Sequence, residues 1–536
     1  MSRVLVVGSG ASAVHFAWTL LDRGLTVEMV DVGRAMPEPV RPGDGFEELK
    51  HRLDDPVSYF LGREFEGVTY PGAAGEYYGF PPHKLVIFEG VSGWDVTPSG
   101  FAPLVSFARG GLAEAWTAGV FPFRDEELAD FPFGWAELEE RYARVAERIG
   151  VCGERDDLAT HVPWHDHVAE PLPLDEHSSR LLVRYRARRN EFAAMGCVLG
   201  RSRIAVLSSD RGERQACGRL GRCLTGCPTG SLWVPSLGLR ELEKRSGFRY
   251  RSGLRVTRLL LDDDRNARGV VAERIDGTGE EEIAAERVAL GAGTLASSKI
   301  FLETWGALTG ETPRLAGLMD NRQVLLPFVN LGMIPRAHDP ATYQYHQLTF
   351  ALDAPDPRDA VHGLVTTLKT ASIHPIVQNL PVDLKTAIFV FRHLHAALGL
   401  VNVNFADRRS SRSWVALDAN GRSGERPLRV HYEPPVGEGD RIRGTLTRFR
   451  RALRKLGCLV PPGMTHVRPM GSSVHYSGTL PMSGSDGDRF TTDGLGASRA
   501  LGNLWFVDGT TFPFLPAKNL TFTLMANATR IADEAF

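Results

Sequence analysis

The sequence predicts an α/β fold in which a Rossmann-like parallel sheet is interleaved with a second part of antiparallel strands and helices. Three observations carry that expectation. Val4-Leu5-Val6-Val7 is an apolar run that stops at a glycine-rich turn, Gly8-Ser9-Gly10-Ala11-Ser12-Ala13, and gives way to helical spacing at Val14, Ala17, Trp18, Leu20 and Leu21. Far downstream, Val288-Ala289-Leu290 meets Gly291-Ala292-Gly293 and then another helical start at Thr294. Between about Pro313 and Val460 the continuous apolar runs give way to alternating ones, as half-buried antiparallel strands require.

The first turn has the most specific chemistry. Gly8 permits a tight turn, Gly10 lets backbone approach a pyrophosphate, and the helix N-terminus that follows favours an anion. Ala13 occupies the place of a third glycine and is small enough for close helix-strand packing. The next apolar run, Val27 to Val32, contains Asp31, about 20 positions after Gly8, where a carboxylate accepts hydrogen bonds from an adenosine ribose. Strand, turn, helix, strand and acid together indicate a dinucleotide site.

From Arg34 to about Pro103, glycine and proline with short apolar runs read as long loops. Ala108-Arg109-Gly110-Gly111 and the small residues leading to Trp116 and Thr117 suit backbone passing close to a flat ligand. Trp135 to Ile149 is an amphipathic helix with Leu138, Tyr142, Val145 and Ile149 on one face. Ser178 to Met195 reads as a second, basic helix. Leu254 to Leu260, an acidic turn at Asp262, and Gly269 to Ala272 form a hairpin that leads back to the dinucleotide part. Later alternating runs are Tyr343 to Phe350, Val361 to Leu368, Leu400 to Phe405 and Ser413 to Leu417. Residues 382–398 are strongly apolar but charged at Lys385 and Arg392. They read as a core or lid helix in preference to a membrane-surface patch, and as too short to span a bilayer.

The expected division is a dinucleotide-binding part over 1–125, 196–310 and 461–536, a helical insertion over 126–195, and a substrate domain over 311–460. A net charge of −2 on 536 residues gives no electrostatic footprint for nucleic acid. Strand-like sequence from Arg3 leaves no space for a leader, which together with scattered Cys152, Cys197 and Cys458 points to the cytoplasm. Cys217, Cys223 and Cys227 cluster in CGRLGRCLTGCPTG. Three thiolates could bind a metal or an iron-sulfur cluster, but with no fourth cysteine nearby and no C-x-x-C pair, they read in preference as reduced thiols with no metal.

In this order the motifs resemble those of the glucose-methanol-choline family of FAD-dependent oxidoreductases over nearly the whole chain. The matching residues are GSGASA with Asp31, Gly110-Gly111, Val256 in LRVTRL, ALGAGTLASSKIFL with Gly293, His475 in VHYSGT, and NLWFVDGTTFP with Asp508 and Gly509, followed by Asn519. The resemblance implies a backbone contact from Val256 to adenine and places Asp508 near the ribityl and pyrophosphate. It makes His475 the general base that takes the hydroxyl proton of an alcohol as hydride leaves for flavin, with Asn519 fixing the substrate oxygen. Ala115 stands where some members carry a flavin-linking histidine, so FAD is expected to be non-covalent. Ala216 stands where a cluster-ligating cysteine would be expected. The partners expected are a small or lipophilic substrate molecule and oxygen or another electron acceptor. Because fold and cofactor do not fix a reaction, a lyase or decarboxylase and a flavin electron carrier stand as alternatives.

Overall fold

The computed structural model describes residues 3–65, 81–334, 336–337, 339–368, 377, 380–419, 426–484 and 488–536. Five parallel strands lie in the spatial order Leu504–Phe506, Arg287–Leu290, Arg3–Val7, Thr26–Val30 and Phe248–Arg251. Parallel neighbours cannot be joined by tight hairpins, so the chain must leave this sheet and return to it. Three widely separated segments thus build one sheet, as the second glycine-rich turn leads one to expect.

Both faces of the sheet are covered. Val4 and Val6 pack into one apolar cluster with the helix Ala11–Asp22 and the closing helix Thr521–Ala535. Leu5 and Val7 point the other way, into a cluster with the helix Thr294–Thr309 and an antiparallel meander. The meander is Leu254–Leu261, Ala267–Arg274 and Glu280–Ala284, and a bulge follows Val256. Asp262 closes its first turn by accepting hydrogen bonds from the Asn266 and Asp264 amides.

The second part rests on a seven-stranded sheet ordered Cys458–Leu459, Arg322–Asn330, Leu398–Phe405, Val361–Thr367, Leu348–Leu352 and Cys197–Arg201, with His466–Val467 also paired to Arg322–Asn330. Period-two alternation sorts its two faces. Val401, Val403 and Phe405 pack against Ile442, Leu446 and Phe449 of the helix Glu438–Lys455. Asn402 and Asn404 therefore point to the opposite face.

The structure departs from the sequence reading at several points. Cys197–Arg201 pairs antiparallel with Leu348–Leu352, so this strand belongs to the seven-stranded sheet and not to the dinucleotide part that 196–310 assigns it to. Trp414–Leu417 joins Leu428–His431, Leu315–Ala316 and Val96–Ser99 in a separate four-stranded sheet. The basic helix is two pieces, Glu176–Ala187 and Arg189–Ala193, broken where Arg188 leaves helical geometry. In the stretch after Arg34, of which 66–80 lie outside the described residues, Phe46–Arg52 and Pro56–Leu61 are helical. Asp55 caps the latter through the Ser58 amide, with Pro56 at its first position. Leu384–Leu394 is a helix with Ala387 and Phe391 buried, while Leu384 and Phe389 stay 68% and 61% exposed. Among the described residues no helix is long and apolar enough to cross a membrane.

One buried ion pair ties the last loop to the body of the protein. Lys518, just before Asn519, donates to Glu127 Oε2 at 2.6 Å and to the Pro122 carbonyl at 2.9 Å. Its ammonium is pulled down to about 8, because burial outweighs the carboxylate beside it. Removing one member of such a pair leaves an uncompensated charge. Glu127→Ala should therefore lower the unfolding free energy by about 3–5 kcal/mol. The double variant Glu127→Leu, Lys518→Met should lose much less, as read by urea unfolding of all three proteins.

Candidate active site

The two glycine turns of the sheet meet face to face. Gly8 has φ +96°, and a Cβ there would come within 2.6 Å of the Gly291 carbonyl oxygen, so only glycine fits. The third-glycine position is also explained: a Cβ on Gly291 would lie 2.9 Å from that of Ala13, so the small pair closes the packing between helix and strand. Gly10, in contrast, would meet only the Gly291 carbonyl oxygen, at 3.9 Å from an added Cβ, and stands at the N-cap of the helix Ala11–Asp22.

Ser9 links this turn to the other predicted segments. Its hydroxyl donates to Asp31 and accepts from the Gly110 amide at 2.9 Å. Burial pushes the Asp31 carboxyl up to about 6, a poise that hydrogen-bond donors from a ligand would reverse. Gly110 is left-handed at φ +97°, and a Cβ there would collide with the Glu114 carboxylate. Glu114 in turn accepts from the amide and hydroxyl of Ser236, at 2.8 and 3.0 Å, in the first turn of the helix Pro235–Glu243. Beyond the turn, Trp116 donates through Nε1 to the Trp233 carbonyl at 2.7 Å, and the Thr117 carbonyl accepts from Tyr343 at 3.0 Å.

On the closing segment, Asp508 is buried and fully engaged. It accepts from the Gly293 amide at 2.9 Å, from the Ser297 hydroxyl, and from the amide and hydroxyl of Thr510. Its direct role is to tie the glycine turn at 293 to the strand end at 507–509. Gly509 leaves no space for a side chain against the Tyr476 carbonyl.

His475 sits in a loop shaped by Asp320. That carboxylate accepts from the amides of Gly471 and His475, at 2.8 and 2.9 Å, and from the Ser473 hydroxyl. The imidazole Nδ1 is 2.8 Å from Asn321 Oδ1, while Asn321 Nδ2 donates to the carbonyls of Phe405 and Pro516, both at 2.9 Å. Burial, reinforced by the Arg468 guanidinium, holds the imidazole down to about 4. Asn519 Oδ1 is buried without a hydrogen-bond partner, a costly state that a ligand donor would relieve.

A single cavity of about 410 Å³ takes in these groups. Gly8, Gly10, Ser12, Asp31, Gly111, Trp116, Thr117, Val256, Gly293, Asp508, Gly509, His475 and Asn519 all line it. The two other predicted residues support the lining from behind, Ala13 against Gly291 and Gly110 between Ser9 and Glu114. The first turn of the helix Thr521–Ala535 opens on the same cavity through Thr521 and Leu524. Leu524 faces the cavity, while Ala528 and Ile531 of the same helix are buried in the core.

Sequence reasoning missed the residues contributed by the seven-stranded sheet: Gln323, Thr366 and Asn402, together with His346 and Arg468, also line the cavity. Asn402 Oδ1 is buried and unpartnered, like that of Asn519. Strand alternation alone carries the signal for Asn402. A larger groove of about 1010 Å³ shares Trp116 with the cavity and is bordered by Cys223 and Cys227. Cys227 Sγ lies 3.1 Å from the Ser231 hydroxyl. Among the described residues, no group of three His, Cys, Asp or Glu side chains is arranged to hold a metal ion.

No family model matches the chain. It is 24% identical over 554 residues to paromamine 6'-oxidase of Streptomyces fradiae, covering 99% of this chain and 90% of the relative. It is 25% identical to 6'''-hydroxyparomomycin C oxidase of Streptomyces lividus, over 98% of this chain and 90% of the relative. With C-glycoside 3-oxidase of Microbacterium trichothecenolyticum it shares 24% identity over 99% and 96%. Among solved structures it is similar to pyridoxine 4-oxidase from Mesorbium loti, with a TM-score of 0.60 and 16% identity, covering 100% and 99% of the two chains. It is also similar to formate oxidase of Aspergillus oryzae, with a TM-score of 0.62 and 13% identity over 99% and 98%. An FAD-dependent oxidoreductase from Chaetomium thermophilum matches at a TM-score of 0.58 and 13% identity, over 99% and 98%. The fold is that of these solved structures along nearly the whole chain.

The Gly110 turn offers a direct test of the dinucleotide end. Gly110→Ala forces a Cβ into Glu114 at a left-handed position, a strain of about 1–3 kcal/mol. The dissociation constant for FAD, titrated by flavin fluorescence into cofactor-free protein, should rise by about tenfold or more.

Proposed function

We infer that the chain is an FAD-dependent oxidoreductase of the glucose-methanol-choline family that oxidises a CH–OH group of a small hydroxylated molecule. The observation that carries this reading is the continuity of one cavity from the Gly8 turn and Asp31 to His475 and the unpartnered Oδ1 of Asn519.

The dinucleotide end fits FAD. Gly8, Gly10, Ser12 and the first turn of the helix Ala11–Asp22 would receive the pyrophosphate, Asp31 the ribose hydroxyls, and the Val256 backbone the adenine. Gly110, Gly111, Trp116, Thr117, Gly293, Asp508 and Gly509 would border the rest of the cofactor. FAD bound there supplies the hydride acceptor. Ala115 lines the cavity without a nucleophilic side chain, which favours non-covalent FAD.

The chain's own residues then carry the proton chemistry. His475, held neutral at ordinary pH, takes the proton from the substrate hydroxyl. Asn519 meets the same hydroxyl through its amide without titrating. The helix N-terminus at Thr521, equivalent to about half a positive charge, favours the negative charge that accumulates in the cavity. A neutral imidazole down to about pH 4 keeps the base competent across the whole physiological range.

The substrate side favours a polyol. Thr366 and Asn402, whose Oδ1 is unpartnered, give the cavity wall on the seven-stranded sheet a hydroxyl and an amide, groups that match substrate hydroxyls, while the Gln323 amide beside them is held by Asn404 and Arg468. Arg468 places positive charge near the base, and the cavity-lining carboxylates among the described residues, Asp31 and Asp508, are engaged by Ser9 and by Gly293, Ser297 and Thr510. This disfavours a polycationic aminosugar relative to a neutral glycoside. The sequence relatives described above are all oxidases, which favours oxygen as the acceptor over a lyase reaction or electron carriage. Six free thiols suit a reducing, cytoplasmic setting.

Mixing the yellow protein anaerobically with a C-glycoside, free aldoses, pyridoxine and paromamine tests the reading, with flavin bleaching as the signal and peroxide formation on admitting air. A neutral glycoside or aldose should bleach it faster than paromamine, and bleaching by none of them would overturn the alcohol-oxidase reading. His475→Ala should slow bleaching by about two to four decades with flavin still bound. Acid precipitation should release yellow FAD into the supernatant, and colour left on the pellet would contradict the non-covalent assignment.

A further inference from the structure

The histidine can act as a base at only one ring nitrogen, and the structure shows what decides which. Asn321 Nδ2 donates both its hydrogens, to the Phe405 and Pro516 carbonyls. The reverse amide orientation would set Oδ1 against those two buried carbonyl oxygens and leave all three without a donor. Asn321 Oδ1 is therefore the atom that faces His475, and it can only accept. The ring must bring a hydrogen to Nδ1 to satisfy it.

We propose that Asn321 is a positioning residue that locks His475 in the Nδ1–H tautomer, so that the unprotonated Nε2 faces the cavity. The inference rests on the reading of His475 as base and deepens it by naming the atom that receives the substrate proton. Neutral Asn321 also has an electrostatic consequence. A carboxylate there would also accept from Nδ1–H, at the cost of setting its second oxygen against the Phe405 and Pro516 carbonyls, and when ionised it would stabilise the imidazolium and load the base with a proton in mild acid.

The charged groups around the ring leave this role to Asn321. Arg468 faces the imidazole and opposes its protonation. Asp320 meets the loop through the His475 amide and the Ser473 hydroxyl, and Asp407 lies behind it, accepting from the Asp320 amide at 3.2 Å. Lys518 on the closing loop is turned to Glu127, and Arg322 to Glu438. The contact at Nδ1 therefore comes from a neutral group.

The tautomer can be read without substrate or turnover. Long-range proton–nitrogen spectra of the flavin-loaded protein labelled with [15N]histidine, with the His475 signals identified by their loss in His475→Ala, should show a protonated Nδ1 and a bare Nε2 at neutral pH. A protonated Nε2 would overturn the proposal. In Asn321→Asp the same signals should titrate about one to three pH units higher than in the wild type. The acid limb of flavin bleaching by whichever glycoside proves active should move with them, whereas a merely loosened site would slow bleaching equally at every pH. An unchanged titration in a folded Asn321→Asp protein would also overturn it. In Asn321→Leu, which removes the acceptor and keeps the bulk, a fraction of the ring should appear as the Nε2–H form, and complete retention of Nδ1–H would count against Asn321. If instead His475→Ala bleached at the wild-type rate, the base assignment would fail whatever the tautomer.

Discussion

The close approach of the Gly8 turn to Gly291 is the constraint from which the rest of the architecture follows. Two parallel strands, Arg3–Val7 and Arg287–Leu290, must end level with each other for their turns to nest, and the register of four consecutive pairs sets that level. With the turns nested, Ala13 closes against Gly291 and Val507 can follow Leu290 along the sheet, its amide donating to the Leu290 carbonyl at 2.9 Å. The strand end at Val507 delivers Asp508 to Gly293, and the chain from there carries Asn519 to the cavity. The glycine contact thus lies at the start of the chain of packing that leads to Asn519.

Around His475, the acidic side chains and Lys518 are used for structure, while Arg468 and a set of amides face the ring and the cavity. Asp320 shapes the loop through main-chain amides, Asp508 clamps a turn, and Lys518 with Glu127 anchors the closing loop. Apart from Arg468, the polar groups directed at the imidazole ring and into the cavity beside it include three amides, Asn321, Asn402 and Asn519. An amide offers a donor and an acceptor without changing charge with pH, so the site keeps its hydrogen-bond pattern while a proton moves through it.

The sequence made one half of this site legible and hid the other. Gly8, Gly10 and Asp31 are recognisable because a single turn needs residue types that little else demands, and His475 and Asn519 stand out only through the family resemblance of the closing segment. Asn321, Asn402 and Asp320 carry no such mark. Each lies in or beside an alternating strand, where a polar residue on one face is ordinary, and each acquires meaning through partners far away in the chain: Asn321 through His475 and Pro516, Asp320 through Gly471 and Ser473. The strand Cys197–Arg201 was misassigned for a related reason, since a short apolar run does not say which sheet will receive it. Local signals with local causes were the ones read correctly, such as the helix Trp135–Ile149 with its buried stripe of Leu138, Tyr142, Val145 and Ile149.

The first helix, Ala11–Asp22, buries its apolar face against the last, Thr521–Ala535, with Phe16 edge-on to Phe536 at 5.2 Å between ring centroids. On the ribosome that partner arrives late. At about 5–20 residues per second, on the order of half a minute or more separates the synthesis of the two helices. During that interval Phe16, Val14 and Leu20 lack their native cover, and Arg287–Leu290 waits with an open edge for Leu504–Phe506. Loading of the cofactor is consequently a post-translational event, because the cavity has no floor at Asn519 until nearly all of the chain has emerged. Shielding of the nascent first helix then becomes a requirement for yield, separate from the stability of the finished protein.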